Sequence, residues 1–460
     1  MNAFRKRSRG GSFKEREIEK AVREIKKLKT ADNVFLFFGD ILNFDKGACG
    51  YLSNLSNMLD PDKLFLVSET NRIDHAVSET MMTLPTIVVP RIFIKNVLPK
   101  DIQRPRTEKI IEDSESRPYL KNAEDNLCAK FPEAKCDDVT ALSLWAYIYF
   151  SKMLEILTPN KIILWNKYQP LHVIIDGIAK EKDIPVLYME FGNIPGTFVL
   201  EYEGQMGESL CAKNSEEFKE LYVSENELQQ ADVIAEFLRE SKLNRNLQPE
   251  SKIEELRKQI CGDKPIILYC GQNDFESGMV PYTHDSKINH SPIFESSDSA
   301  AEFLSDIASK NDWNLLYKPH PLMTYLSKIP ASATNVAGHD INDLIDMADV
   351  VVTMFSQSAY ISLIRGKPTV MLGYNQLKGK DCTYEAFHED EIEDTIKQAL
   401  SDGRTESMRE NFTKHVAQEL KYYLFDDLTD RNIRYGQEIE KFRNMIYREQ
   451  TTDHPDQEDQ

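Results

Sequence analysis

The 460-residue chain lacks any apolar run of the ~18 residues that a membrane-crossing helix needs, and its first residues hold no apolar core of a secretory signal. The expectation is a protein acting in the cytoplasm. Its seven cysteines are odd in number and include no CxxC pair, which excludes a disulfide framework and a zinc ribbon. Also missing are GxxxxGK[ST], GxGxxG, GxSxG and HExxH, the marks of P-loop ATPases, common dinucleotide enzymes, α/β-hydrolases and zincins. There is no internal repeat and no long low-complexity segment. Positive charge is short as well: 56 Lys and Arg against 75 Asp and Glu leave a formal charge of -19, which opposes attraction to a nucleic-acid backbone. No nucleic-acid partner is expected.

What is present is a chain that is 41% hydrophobic and 28% charged, enough for two large domains and a bridging segment. Charge is unevenly spread. Residues 1–30 carry 11 basic side chains against four Glu, a net +7, so the remainder stands at -26. This basic arm is a candidate for peripheral contact with an anionic membrane, on the inner face of the plasma membrane. The plainer reading is a solvated helix with Glu and Lys pairs.

Residues 31–212 alternate apolar β-rich runs with helical stretches. Asn33 to Phe38, Lys63 to Val67, Thr86 to Val89, Lys161 to Leu164 and Pro185 to Tyr188 read as buried strands, with helices over Gly47 to Leu59, Val139 to Leu157 and Leu171 to Lys182. Arg91 to Pro132 lacks periodicity and reads as an irregular excursion. Residues 213–262 are helical and charged, as in a connector. Residues 263–425 alternate again: strands at Pro265 to Tyr269, Trp313 to Tyr317, Val350 to Thr353 and Pro368 to Leu372, and helices at Ser299 to Ser309, Ile341 to Met347 and Ser356 to Arg365. A helix over 426–449 and a disordered tail, 450–460, complete the prediction. Alternation of this kind means parallel, doubly wound sheets, here two Rossmann-like units facing a cleft.

Four strings fall where such sheets place ligands. Tyr317-Lys318-Pro319-His320-Pro321 sets a cation and an imidazole at a strand end, suited to an anionic group. Ser356-Gln357-Ser358 opens a helix with two hydroxyls, which serve either to cap it or to bind an anion. Gly271-Gln272-Asn273-Asp274 follows another strand, where Gln272 and Asp274 can read a base or ribose. Glu190-Phe191-Gly192-Asn193-Ile194-Pro195-Gly196-Thr197 puts a carboxylate at a strand end beside a tight turn, as a general base or as a turn cap. Gly39-Asp40 holds the matching place after the first strand. Asp60-Pro61-Asp62 is read as a turn, and no metal site is assigned.

Taken in order, E-x-G-x-x-P-G-T, G-Q-x-D, K-P-H-P and the S-x-S start with Gly366-Lys367-Pro368 resemble the capsule polysaccharide biosynthesis family of bacterial glycosyltransferases, which includes transferases of Kdo from CMP-Kdo. The likeness runs from about residue 160 to 375. It implies a GT-B fold, α/β throughout, with the donor nucleotide on the C-terminal unit and the acceptor on the N-terminal one. It also implies transfer of an acidic, Kdo-like sugar from a CMP-linked donor to a glycan or glycolipid, without metal or cofactor. Carried over, Lys318, His320, Ser356, Gln357 and Ser358 contact the donor phosphate region, with Gln272 and Asp274 near the nucleotide or sugar. Gly192, Asn166 and Lys167 face the acceptor. The family's acidic pattern is altered here, since Phe191 separates Glu190 from Gly192; Glu190 is the first candidate for the catalytic carboxylate, with Asp40 and Glu201 behind it. The competing readings are a transferase of another nucleotide sugar and a non-catalytic scaffold of an assembly complex.

Overall fold

The computed structural model describes residues 15–28, 34–39, 64–68, 85–93, 98–105, 117–244, 249–260, 262–323, 327–426, 441 and 445. Asp40, Asp60-Pro61-Asp62, the helix expected over Gly47 to Leu59 and the tail lie outside them, as does the helix expected over 426–449 apart from Lys441, Met445 and Asp426, which ends a strand instead.

Six strands fall in the first half: β1 (Phe35–Phe38), β2 (Leu64–Ser68), β3 (Thr86–Val88), β4 (Lys161–Trp165), β5 (Val186–Phe191) and β6 (Thr197–Glu201). Seven follow: β7 (Ile266–Cys270), β8 (Asn314–Lys318), β9 (Ala333–Asn335), β10 (Val350–Thr353), β11 (Thr369–Met371), β12 (Tyr384–Glu385) and β13 (Leu424–Asp426). The first sheet has the order β13-β6-β5-β4-β1-β2-β3, and the second, wholly parallel, has β12-β11-β10-β7-β8-β9. Strand order reverses between β1 and β4 in one sheet and between β7 and β10 in the other. These are the two switch points of doubly wound sheets, where the crossovers part and leave a crevice.

The apolar runs are continuous because both faces of each sheet are covered. Leu36, Phe38, Ile162 and Leu164 join one core of the first unit, while Phe35, Phe37, Ile163 and Leu187 join the core on the opposite face. In the second unit Tyr269, Tyr317 and Val352 face one way, and Leu268, Leu316 and Val351 the other.

Three expectations change. The stretch from Arg91 to Pro132 is not irregular throughout, since Pro118–Lys130 is a helix that buries Leu120, Ala123 and Leu127. The charged region 213–262 does not merely span the two units: Phe218, Ala231, Ile234 and Leu238 pack into the same core as β7, β8 and β10. The helix expected from Ser356 begins at Ser358 and ends at Ile364. Near the N-terminus, Glu15–Lys26 is a helix docked through buried Ile18 and Ile25, with Arg16, Lys20, Arg23 and Lys26 exposed.

Near its end the chain returns to the first unit. The helix Glu406–Gln418 continues as a π-helical turn, Glu419–Tyr423, and leads into β13, which pairs antiparallel with β6, Leu424 opposite Val199. Two Rossmann-like units with a C-terminal return to the first make the GT-B fold.

Candidate functional site

The ends of β4, β5, β7 and β8 and the segment after β10 open into one cleft of about 270 Å³ between the two units. Of the residues singled out in the sequence, Asn166, Glu190, Gln272, Lys318, His320, Ser356, Gln357 and Ser358 line it.

On the N-terminal side, the Pro195-Gly196 turn folds β6 back along β5, with Gly196 at a φ of 86° that favours glycine. Glu190, 9% exposed, sits near the end of β5 and accepts from the backbone N–H of Met206 at 3.4 Å. Asn166, at a positive φ of 58°, donates across the cleft to the carbonyl of Glu276 at 2.9 Å. The expected acceptor residue Lys167 does not line the cleft. It is paired with Glu208, whose carboxylate also accepts from Tyr168 at 3.3 Å. Gly192 lies behind the wall, where a Cβ would stand 2.0 Å from Thr197 Oγ1.

Glu201 is not in the cleft either. It is buried in β6, accepting from Leu210 N–H and from Tyr423 O–H, each at 2.6 Å, and burial pushes its carboxyl up to about 8. It is a structural acid inside the chain crossing.

On the C-terminal side, the backbone N–H of Leu322 donates to His320 Nδ1 at 3.2 Å, which makes Nε2 the protonated ring nitrogen. Lys318 turns away from an anion role: Nζ donates to the carbonyls of His339 at 2.6 Å and Ala337 at 3.4 Å, and burial lowers the pKa of this ammonium. Ser356 Oγ accepts from the N–H of Ser358, two residues on, at 3.3 Å, but the cap position of the helix is Gln357 and no side chain caps it, so the capping role weighed from sequence is not the one found. Gln357 Nε2 donates to Phe191 O and Gly192 O, each at 3.2 Å, so it joins the two units instead of facing a ligand.

Asp274 is fully buried and accepts from Ser297 N–H at 2.9 Å and Ser297 O–H at 2.7 Å. Ser297 Oγ in turn accepts from Gln272 N–H at 3.1 Å. Asp274 is not among the residues that line the cleft; through Ser297 it positions the backbone of Gln272. Burial raises the Cys270 thiol to about 11, which keeps it protonated and unreactive.

Sequence reasoning gave no role to Asn193, although it lies inside the E-F-G-N string, and missed Gln205 and Asn244, each a lone amide in a loop with no pattern around it. Three buried atoms that belong to cleft residues, Asn244 Nδ2, Gln272 Oε1 and Ser358 Oγ, have no hydrogen-bond partner. Buried polar atoms are usually paired, so these three are the cleft's candidates for bonding a polar group that enters it.

No family model and no curated protein matches the chain. Among solved structures it is similar to Thermosulfurimonas dismutans KpsC, a beta Kdo 2,7 transferase, at 17% identity over 58% of this chain and 80% of that one, with a TM-score of 0.38. The beta Kdo 2,4 transferase of KpsC gives 15% identity, 56% and 79% coverage and 0.39. The UDP-GlcNAc 2-epimerase of Neisseria meningitidis gives 10%, 85% and 98%, and 0.35. Likeness of this degree carries no statement about activity.

Proposed function

We propose that the chain is a glycosyltransferase of surface polysaccharide synthesis that transfers an acidic, Kdo-like sugar from a CMP-linked donor to a glycan or glycolipid acceptor. The observation that carries this reading is the pairing in one cleft of Glu190 from the first unit with His320, Gln272 and Ser358 from the second. In this reading Glu190 takes the proton of the acceptor hydroxyl as that oxygen bonds to the anomeric carbon. The bond from that carbon to the phosphate oxygen breaks, and CMP leaves with the electron pair. His320 Nε2–H meets the charge gathering on the phosphate, and the unpartnered Gln272 and Ser358 atoms hold the nucleotide or sugar. The step needs no metal. Lys318 contributes by fixing the loop carbonyls behind the phosphate site, not by touching the phosphate.

The basic helix face is proposed to bring the cleft to an anionic membrane on the cytoplasmic side, where glycolipid acceptors lie. Release of CMP from CMP-Kdo in the presence of acceptor glycans tests the reading. Glu190→Gln is expected to abolish release while CMP binding persists. Turnover with a UDP- or CDP-linked donor instead would overturn the donor, and tight nucleotide binding without turnover on any acceptor would favour the scaffold.

A further inference from the structure

Behind the cleft wall, one hydrogen bond from the wall residue Asn193 and where the chain passes from the second unit back to the first, three side chains of metal-ligating type meet in the interior. Ligand atoms of Cys211, His415 and Glu419 all lie within 4.8 Å of one another, and the three residues are 0%, 1% and 0% exposed. Cys211 lies in the short helix that follows β6, and His415 and Glu419 stand four residues apart across the junction of the last helix and its π-helical turn. That spacing puts two ligands on one helix face, and π-helical turns occur often at functional sites.

Hydrogen bonds fix one atom of each helical residue and leave another unused. His415 Nε2 is 2.9 Å from Tyr360 Oη, and Glu419 Oε1 accepts from Tyr360 O–H at 3.0 Å and from Asn193 Nδ2 at 2.9 Å. His415 Nδ1 and Glu419 Oε2 are buried with no hydrogen-bond partner. Outer bonds that orient a ring and a carboxylate while the second atom of each stays open are the usual surroundings of a metal site. We propose that Cys211, His415 and Glu419 form a structural site for zinc or a chemically similar divalent transition metal.

Bond lengths of about 2.0 to 2.3 Å put tetrahedral ligand atoms roughly 3.3 to 3.7 Å apart, so the observed cluster needs adjustments of about 1 Å. Charge balances, because a thiolate and a carboxylate cancel a dication once the Cys211 proton leaves to solvent. The nearest fixed cation, Lys380, is tethered to Cys211 O and Ser215 O, each at 3.0 Å, and to Ser215 Oγ at 2.8 Å. Bound there, the metal would pin the return of the chain to the first unit, and it takes no part in the chemistry of the cleft.

The test uses the full chain with Cys128 and Cys136, the exposed thiols among the described residues, and also Cys49 and Cys261 changed to Ser. Zinc content is measured after purification and after chelation, and the chelated protein is titrated with Zn²⁺ and Co²⁺. The proposal expects about one zinc per chain, a thiolate-to-cobalt charge-transfer band, and a Tm that rises with Zn²⁺ but not with Mg²⁺. Cys211→Ser and His415→Gln should each weaken zinc binding by at least ~10-fold. No zinc, no cobalt band and no shift would overturn it, as would zinc binding unchanged in both variants. If the variants fail to fold, the cobalt spectrum of the parent chain decides alone.

Discussion

Gln357 Nε2 donates a hydrogen bond to the carbonyl oxygen of Gly192 at 3.2 Å, and so two strings that look independent in the sequence, S-Q-S and E-F-G, touch across the cleft. A second bond of the same length reaches Phe191 O. The amide acts as a clasp that sets how closely Glu190 approaches the donor side. Gln357→Leu removes a donor from both carbonyls and is expected to cost about 1 to 3 kcal/mol of stability, with lower turnover and little change in nucleotide affinity. Chemical denaturation and CMP titration of the variant check this.

Asp274 and Gln272 separate positioning from contact. Asp274→Ala removes the acceptor of Ser297 from a fully buried place and is expected to lower Tm and nucleotide affinity together. Gln272→Ala should weaken nucleotide binding with a much smaller change in Tm. The two measurements on both variants distinguish the roles, and equal Tm losses would contradict them.

The units also meet at Gly207, where an added Cβ would stand 1.6 Å from the carbonyl oxygen of Asn289. Gly207→Ala must displace backbone, so a loss of about 1 to 3 kcal/mol is expected. Gly338, which has nothing within 4 Å of its Cβ position, is the control, and Gly338→Ala should be near neutral. Thermal denaturation of the two variants gives the comparison.

Burial holds the Glu201 carboxyl at about 8, above the 4.5 of an exposed one. Between these values the folded chain binds more protons than the unfolded chain, so this group's contribution is fully present below about 4.5 and is lost as pH rises through about 8. Glu201→Gln should flatten the decline of Tm between pH 5 and pH 8. An unchanged slope would mean that Glu201 stays ionised in the folded chain.

The sheets were legible because buried parallel strands are continuous apolar runs, and the observed β1, β2, β4, β7, β8 and β10 fall on or within two residues of those runs. The helix Pro118–Lys130 was hidden by its narrow stripe, with only three buried residues in 13. Strand ends gave the cleft residues Glu190, Gln272 and His320 directly, since ligand groups collect there. What Lys318, Gln357 and Ser356 do was not legible. An ammonium, an amide and a hydroxyl suit an anion and a backbone carbonyl or N–H equally well, and only the fold shows which is near. The same holds for Asn193, Tyr360, His415 and Glu419, bonded across separations of up to 226 residues.

The most direct test of the account is the thermal shift given by CMP, beside UDP, GDP, CDP and dTDP, on the parent chain and on His320→Ala. The account predicts that CMP alone raises Tm, by mass action on the folded state, and that the rise disappears in a His320→Ala variant whose own Tm is unchanged. No shift with any nucleotide, or a CMP shift as large in the variant as in the parent, would contradict it.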